Sequence, residues 1–332
     1  MDISPGAASA IRGQHQAPLV SVLMPVYNSA RYLDEAIGSI AAQAFRDFEL
    51  VVIDDGSTDG STRILERFAG REDRMRLFMR ENLGVIATRN ELLRAARGEF
   101  VAWMDSDDVS FPQRLERQIE AFRRDPLLAC LGSAAQCIDP EGNFLNVERY
   151  PSQHAEILLE QQKGGAMRFP TTMMRRELAL RAGGFREPFR IGEDFDLLLR
   201  LSEIGKMANL PDTLYLYRQH VASVCSTLGA QWPLYRDQIL QLAHERQARG
   251  SDRLQNGELL HMEVAALVDR RKIEWRVFLE WARHALHNRN TSLALKYAGA
   301  ALSRRPTSVA AWKLMVRIIL SRLHPLPGKS AR

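Results

Sequence analysis

VVIDDGSTDGS, residues 51–61, carries the plainest mark of this chain's architecture. An unbroken apolar run ends in two aspartates and a glycine turn, as expected where a strand buried on both faces gives way to the loop before a helix. Asp54 and Asp55 then stand at the carboxyl end of a strand, where open α/β sheets bind their ligands. The plainer reading is a turn that caps the next helix, because Asp, Ser and Gly serve both purposes. A second acidic strand end nearby would separate the two.

Moving outward, residues 20–25 (VSVLMP) read as a strand closed by proline, and Leu33, Ile37, Ile40 and Ala41 give residues 33–44 a helical spacing. The unit repeats: a strand at 48–53 with a helix near 62–68, a strand at 75–79 with a helix near 85–97, and a strand at 100–104. Strands without in/out alternation, separated by helices of this length, predict a parallel sheet covered on both faces. The fourth strand runs into WMDSDD, residues 103–108, so Asp105, Asp107 and Asp108 are brought to the same sheet edge as Asp54 and Asp55. Like charges this crowded call for a proton or a cation, and an all-oxygen ligand set on a short loop suits Mg²⁺ or Mn²⁺. Capping of the next helix, predicted over 112–124 with proline in its first turn, is the plainer role.

Further along, residues 127–136 predict a strand and GEDFDLLLRL, residues 192–201, a helix stopping at Gly205. Glu193 and Asp194 sit in its first turn, where the helix dipole favours acids whether or not they do chemistry. YRQHVAS, residues 217–223, follows a strand at 213–216 and supplies Arg218 and His220; a lone histidine is more often structural than a metal ligand. Neither GxGxxG after the first strand nor GxxxxGK[ST] occurs, so dinucleotide and P-loop readings lose their main supports.

Taken in order, these motifs resemble the inverting family 2 glycosyltransferases of the GT-A fold, across residues 18–223. Pro25, Tyr27 and Asn28 match an opening P-x-Y-N, followed by DDGSTD, by Asn82-Leu83-Gly84, by Ala87-Thr88-Arg89-Asn90, by DSDD and by Pro112, Leu115 and Glu116. The resemblance implies an α/β fold whose Rossmann-like, mostly parallel sheet is flanked by helices. It implies that Asp55 contacts the nucleotide base with Pro25 and Tyr27 walling the pocket, that Arg89 helps hold base or phosphates, and that Asp105 lies at the ribose. Asp107 becomes the metal ligand, joined by His220; Asp194 becomes the catalytic base; and Asp54, Asp108 and Glu193 become supporting neighbours. Phe195 departs from the tryptophan many relatives carry beside the base, and no Q-x-x-R-W mark of processive members occurs. The expected reaction moves one sugar from a nucleotide-diphosphate donor, a UDP-sugar first among them, to a glycan or lipid-linked acceptor in cell-surface polysaccharide synthesis. The rivals are a sugar-phosphate nucleotidyltransferase, which should carry a glycine-rich loop where this chain has PVYNSAR, and a catalytically silent nucleotide-sugar-binding module, which only turnover would separate.

Composition sets the remaining bounds. The 332 residues, 45% hydrophobic, suffice for a large domain and an appendage. Three parts are expected: a disordered tail at 1–17, the GT-A domain at 18–228, and an all-helical segment at 229–332 in which WARHALHNRN and YAGAALSRRP weakly echo each other like tetratricopeptide hairpins. Without a secretory signal or a run of about twenty apolar residues, the expected place is the cytoplasm. Cys130, Cys137 and Cys225 form no CxxC pair and read as core thiols. Residues 270–332 hold 14 Lys and Arg against Glu274 and Glu280 alone, while the rest of the chain is net acidic. Such a body does not suit nucleic acid, whose binders line their functional face with positive charge. Its basic end suits an anionic membrane surface. There Val309, Trp312, Val316, Ile319 and Leu323 share one helix face flanked by Lys313 and Arg317; that face either lies on the inner leaflet of the membrane or packs against the catalytic domain or a second subunit.

Overall fold

The computed structural model describes residues 17–221, 229–260 and 269–323. The tail expected at 1–17 lies outside them apart from Ala17, as does Cys225.

The first half alternates as its apolar runs demand: β1 (Val20–Val26), α1 (Ala30–Ala41), β2 (Phe48–Asp55), α2 (Ser61–Ala69), β3 (Met75–Arg80), α3 (Val85–Ala95) and β4 (Phe100–Trp103). These strands pair in parallel in the order β3-β2-β1-β4. Both faces are covered, and β1 shows how. Val22 and Met24 pack with Leu33, Ile37 and Ile119 on one side, whereas Leu23 packs with Leu92 and Leu197 on the other.

Beyond β4 come β5 (Val109–Ser110), α4 (Arg114–Arg124), β6 (Leu128–Ile138), β7 (Phe144–Glu148), α5 (His154–Gln161), β8 (Met173–Arg175), α6 (Arg176–Arg181), α7 (Glu193–Ile204) and β9 (Lys206–Arg218). They extend the sheet as β4-β8-β6-β9-β5, with β8 antiparallel to both neighbours and β6 parallel to β9. The mixed half has no regular strand-helix spacing, because its strands are joined across the sheet rather than by successive crossovers. The helix expected from Pro112 begins two residues later at Arg114, and the strand expected at 213–216 is the end of the long β9.

The later helices form two groups. The first, α8 (Trp232–Arg249), shares a core with α7: Tyr235, Ile239 and Leu242 pack on Phe189, Phe195 and Leu199. Helices α9 (Arg270–His287), α10 (Thr291–Arg304) and α11 (Val309–Leu323) pack on one another and, through Trp281 and Tyr297, share a core with Cys137 and Leu145 of β6 and β7. Cys130 and Cys137 are buried, and loss of water pushes both thiols well above their ordinary range. Among the described residues no helix is long and apolar enough to cross a membrane.

An ionic network joins α7 to α8. The fully buried Asp196 accepts from Arg186 (2.5 Å) and Arg200 (2.6 Å), while Asp252 binds Arg186 (2.8 Å) and Arg246 (2.5 Å). Removing one member strands the others in low dielectric. Asp196→Ala is therefore expected to lower the unfolding free energy by about 3–5 kcal/mol, read from the midpoint of urea denaturation. An unchanged midpoint would show that the network contributes nothing net.

Candidate active site

Register builds the site. Val26 of β1 lies opposite Asp54 of β2, and Leu23 of β1 opposite Trp103 of β4, so the chain leaving β1 at Tyr27 passes between the two acidic strand ends. Asn28 adopts φ 50°, a left-handed conformation asparagine tolerates, and its side-chain oxygen accepts from Thr58 N at 2.8 Å. Ser29 N donates to Ser61 Oγ (2.9 Å), Ala30 N to Asp59 Oδ2 (2.9 Å), and the Ser29 and Ser106 hydroxyls meet at 2.6 Å. The P-x-Y-N, DDGSTD and DSDD loops are thereby bonded into one wall.

Within that wall the two aspartates of the first cluster differ. Asp54 accepts from Ser57 N (3.0 Å) and Thr62 Oγ1 (2.6 Å), holding the turn. Asp55 accepts from Leu83 N (3.0 Å) and Gly84 N (2.9 Å) and pairs with Arg80 (3.0 Å). Gly56, at φ 78°, brings the turn so close to the Asn82-Leu83-Gly84 loop that a Cβ would stand 2.8 Å from Asn82 N.

The DSDD turn brings a ligand atom from each of Asp105, Asp107 and Asp108 within 4.8 Å of the others. Removal from water pushes Asp105 up to about 6 against the pull of Arg89, and the charges of Asp107 and Asp194 add to the rise. Asp108 is raised by burial and then by Asp107 and Asp105; its Oδ1 accepts from Arg218 N (2.7 Å). His220 Nε2 lies 2.8 Å from Asp107 Oδ2. Crowded carboxylates, of which Asp105 and Asp108 hold protons more tightly than usual, with an imidazole beside them, are a donor set that fits a divalent cation.

Glu193 and Asp194 enter from the opposite side on the first turn of α7. Gly192 supplies the left-handed N-cap (φ 84°), and a Cβ there would stand 2.7 Å from the Trp232 ring. Asp194 Oδ1 accepts from Phe195 N (2.7 Å). Arg89, 8% exposed and packed against the Phe169 and Phe185 rings, bonds Glu193 Oε1 at 2.5 Å and lies 3.7 Å from Asp105. Asn90 next to it both donates to Phe185 O (2.8 Å) and accepts from Phe185 N (2.9 Å), fixing the loop that leads into α7.

One cleft of about 1450 Å³ is lined by Pro25, Tyr27, Asp55, Arg89, Asp105, Asp107, Glu193, Asp194 and His220. Asp54 and Asp108 stand behind its wall, holding backbone. Sequence reasoning missed Arg114, which is fully buried and donates to Trp103 O (2.9 Å) beneath the DSDD turn. It also missed the far wall: Arg168, Trp232, Phe278, Trp281 and Tyr297 line the cleft as well. The aromatic spacing in the helical segment was the available signal. Trp232 meets Phe195 edge-on at 5.3 Å, so an aromatic side chain from α8 packs directly beside the residue next to Asp194.

A mixed α/β sheet brings two acidic strand ends and a helix-borne acid pair to one cleft. Residues 21–183 match the family model described as "Glycosyl transferase family 2". EpsE of Bacillus subtilis, which carries a glycosyltransferase name, is 34% identical over 210 residues, covering 62% of this chain and 74% of EpsE. The chain therefore belongs to glycosyltransferase family 2, and the nucleotidyltransferase alternative falls. The chondroitin synthase of Pasteurella multocida is 30% identical over 60% of this chain, which spans only 20% of that synthase's length. The fold is also that of S. aureus TarS residues 1–349 (TM-score 0.53, 20% identity, 92% of this chain and 91% of that one).

The coupling of Glu193 to Arg89 gives a pH test. Burial raises Glu193 from the ordinary 4.5 to about 7. Between those values the folded chain holds a proton that the unfolded chain has released, so this group's contribution to stability falls as pH rises and is fully lost above about 7. With a chelator present, the difference in melting temperature between Glu193→Gln and the parent should change in the variant's favour across that interval. A pH-independent difference would remove Glu193 from the titration.

Proposed function

We propose that this glycosyltransferase is an inverting, metal-dependent, non-processive enzyme that moves one sugar from a nucleotide-diphosphate donor, a UDP-sugar first, to an acceptor hydroxyl. The observation that carries this reading is that Asp55, Asp105, Asp107 and Asp194 line one cleft although they come from three separate elements. Asp55, beside Pro25 and Tyr27, receives the base: its oxygens already accept two backbone N–H groups, and a carboxylate has lone pairs for further donors. Asp105 lies at the ribose. Arg89, held under its aromatic rings, orients Asp105 and Glu193 and steadies the donor side of the cleft.

Asp107 with His220 would hold Mg²⁺ or Mn²⁺, and Asp108 keeps their turn in place through Arg218. The cation supplies positive charge that stabilises the departing diphosphate. Asp194 accepts the acceptor's hydroxyl proton as that oxygen bonds the anomeric carbon; the bond to the diphosphate oxygen breaks, and its electron pair leaves with the diphosphate. A single displacement from the opposite face inverts the anomeric centre, and holding both substrates in line removes much of the barrier.

The donor assignment draws support from TarS, also solved in complex with UDP-GlcNAc at a TM-score of 0.52. The acceptor we infer is a glycan or lipid-linked glycan of cell-surface polysaccharide synthesis, handled on the cytoplasmic side. The names of relatives such as the chondroitin synthases support that inference.

With Mn²⁺ or Mg²⁺ and a panel of UDP-, GDP- and dTDP-sugars, one donor should give nucleotide release. Asp194→Asn should reduce transfer by about a hundredfold or more with the donor Kd unchanged in calorimetry, whereas Asp107→Ala should weaken metal-dependent donor binding itself. Normal transfer by Asp194→Asn would refute the base. Donor binding without turnover under every condition would favour the silent module.

A further inference from the structure

Helix α11 is apolar on two opposite sides. Ala311, Leu314 and Ile318 are buried in the core shared with α9 and α10, so its packing needs are met. At 3.6 residues per turn the other side carries Val309, Trp312, Val316, Ile319, Leu320 and Leu323, all exposed. Trp312 donates its indole N–H to Pro306 O (2.8 Å), so its one polar atom is satisfied while the side chain remains 53% exposed. A contiguous apolar surface of this kind, left open by the described residues, marks an interaction site.

Charge identifies the partner. Lys313 and Arg317 are exposed along one flank of that face. On the same flank a groove of about 410 Å³ between α9 and α11 is lined by Arg276, Glu280 and Arg283 together with Ala310. Arg276 and Arg283 are exposed there, and no Asp or Glu follows Glu280 anywhere in the sequence. A two-fold contact with a second copy would set Lys313 and Arg317 close to their own counterparts, which like-charge repulsion opposes. An apolar face bordered by cations is the arrangement that lies in the headgroup region of an anionic bilayer.

We propose that the exposed face of α11, with the basic strip formed by Lys313, Arg317, Arg276 and Arg283, docks this chain on an anionic phospholipid surface. Helix α10 packs beside α11 and its Lys296, Tyr297 and Ala300 line the catalytic cleft. Docking therefore holds the cleft next to the bilayer, where a lipid-linked acceptor presents its hydroxyl. That last consequence rests on the function proposed above; the docking does not.

The full chain should float with vesicles of phosphatidylcholine and phosphatidylglycerol, not with phosphatidylcholine alone, and salt should release it. Two double variants, Lys313→Glu with Arg317→Glu and Trp312→Ser with Val316→Ser, should each lower the bound fraction by about tenfold or more, with thermal unfolding and donor hydrolysis in solution unchanged. Absence of salt-sensitive flotation would overturn the proposal. So would light scattering that reports a dimer dispersed by Trp312→Ser, since the face would then belong to a second copy. Donor hydrolysis is read without vesicles, so a failed docking and a failed enzymatic assignment are separate results.

Discussion

Carboxylates crowded around one cleft repel one another, and each taken from water makes the next harder to ionise. This chain meets that constraint with buried arginines. Arg89 lies between Glu193 and Asp105, Arg218 runs along the DSDD turn with its side chain bonded to Asp107 O (2.8 Å) and Glu35 (2.6 Å), and Arg114 supports the end of β4 from below. The compensation is partial: Asp105 and Glu193 still bind protons more tightly than free carboxylates. A site left short of positive charge favours a proton or a cation.

The backbone is arranged to keep the acids from relaxing apart. Register places the end of β1 between the strands that carry them, and cross-bonds through Asn28, Ser29 and Ser106 tie the three loops together. On the other side α7 is held by Asn90 at its entry and by the Asp196 network below. Fixed groups of this sort stabilise developing charge without having to reorganise, the usual source of electrostatic catalysis.

The helical segment closes the cleft. Trp232 of α8 packs against Phe195, while Phe278 and Trp281 of α9 and Tyr297 of α10 line the same cleft as the acidic loops. The tertiary ties are specific: Trp281 Nε1 donates to Gln219 (2.8 Å) and the Tyr297 hydroxyl to Asp139 (2.5 Å). These helices thus join the cleft to the exposed face of α11.

Much of this was legible in the residues themselves. Apolar runs ending in DDGS and DSDD specify parallel strands with acids at their carboxyl ends, because a buried strand must be apolar and its end is where the chain meets solvent. Gly192 followed by two acids marks a helix start for reasons of dipole and backbone conformation alone. Partners distant in sequence were not legible: that Arg89 reaches Glu193, that Arg114 supports Trp103, that Trp232 covers Phe195. Nor did the amphipathic pattern of α11 tell which apolar side packs inward. Periodicity records that a side chain avoids water; only the packing of one element on another decides what it avoids water against.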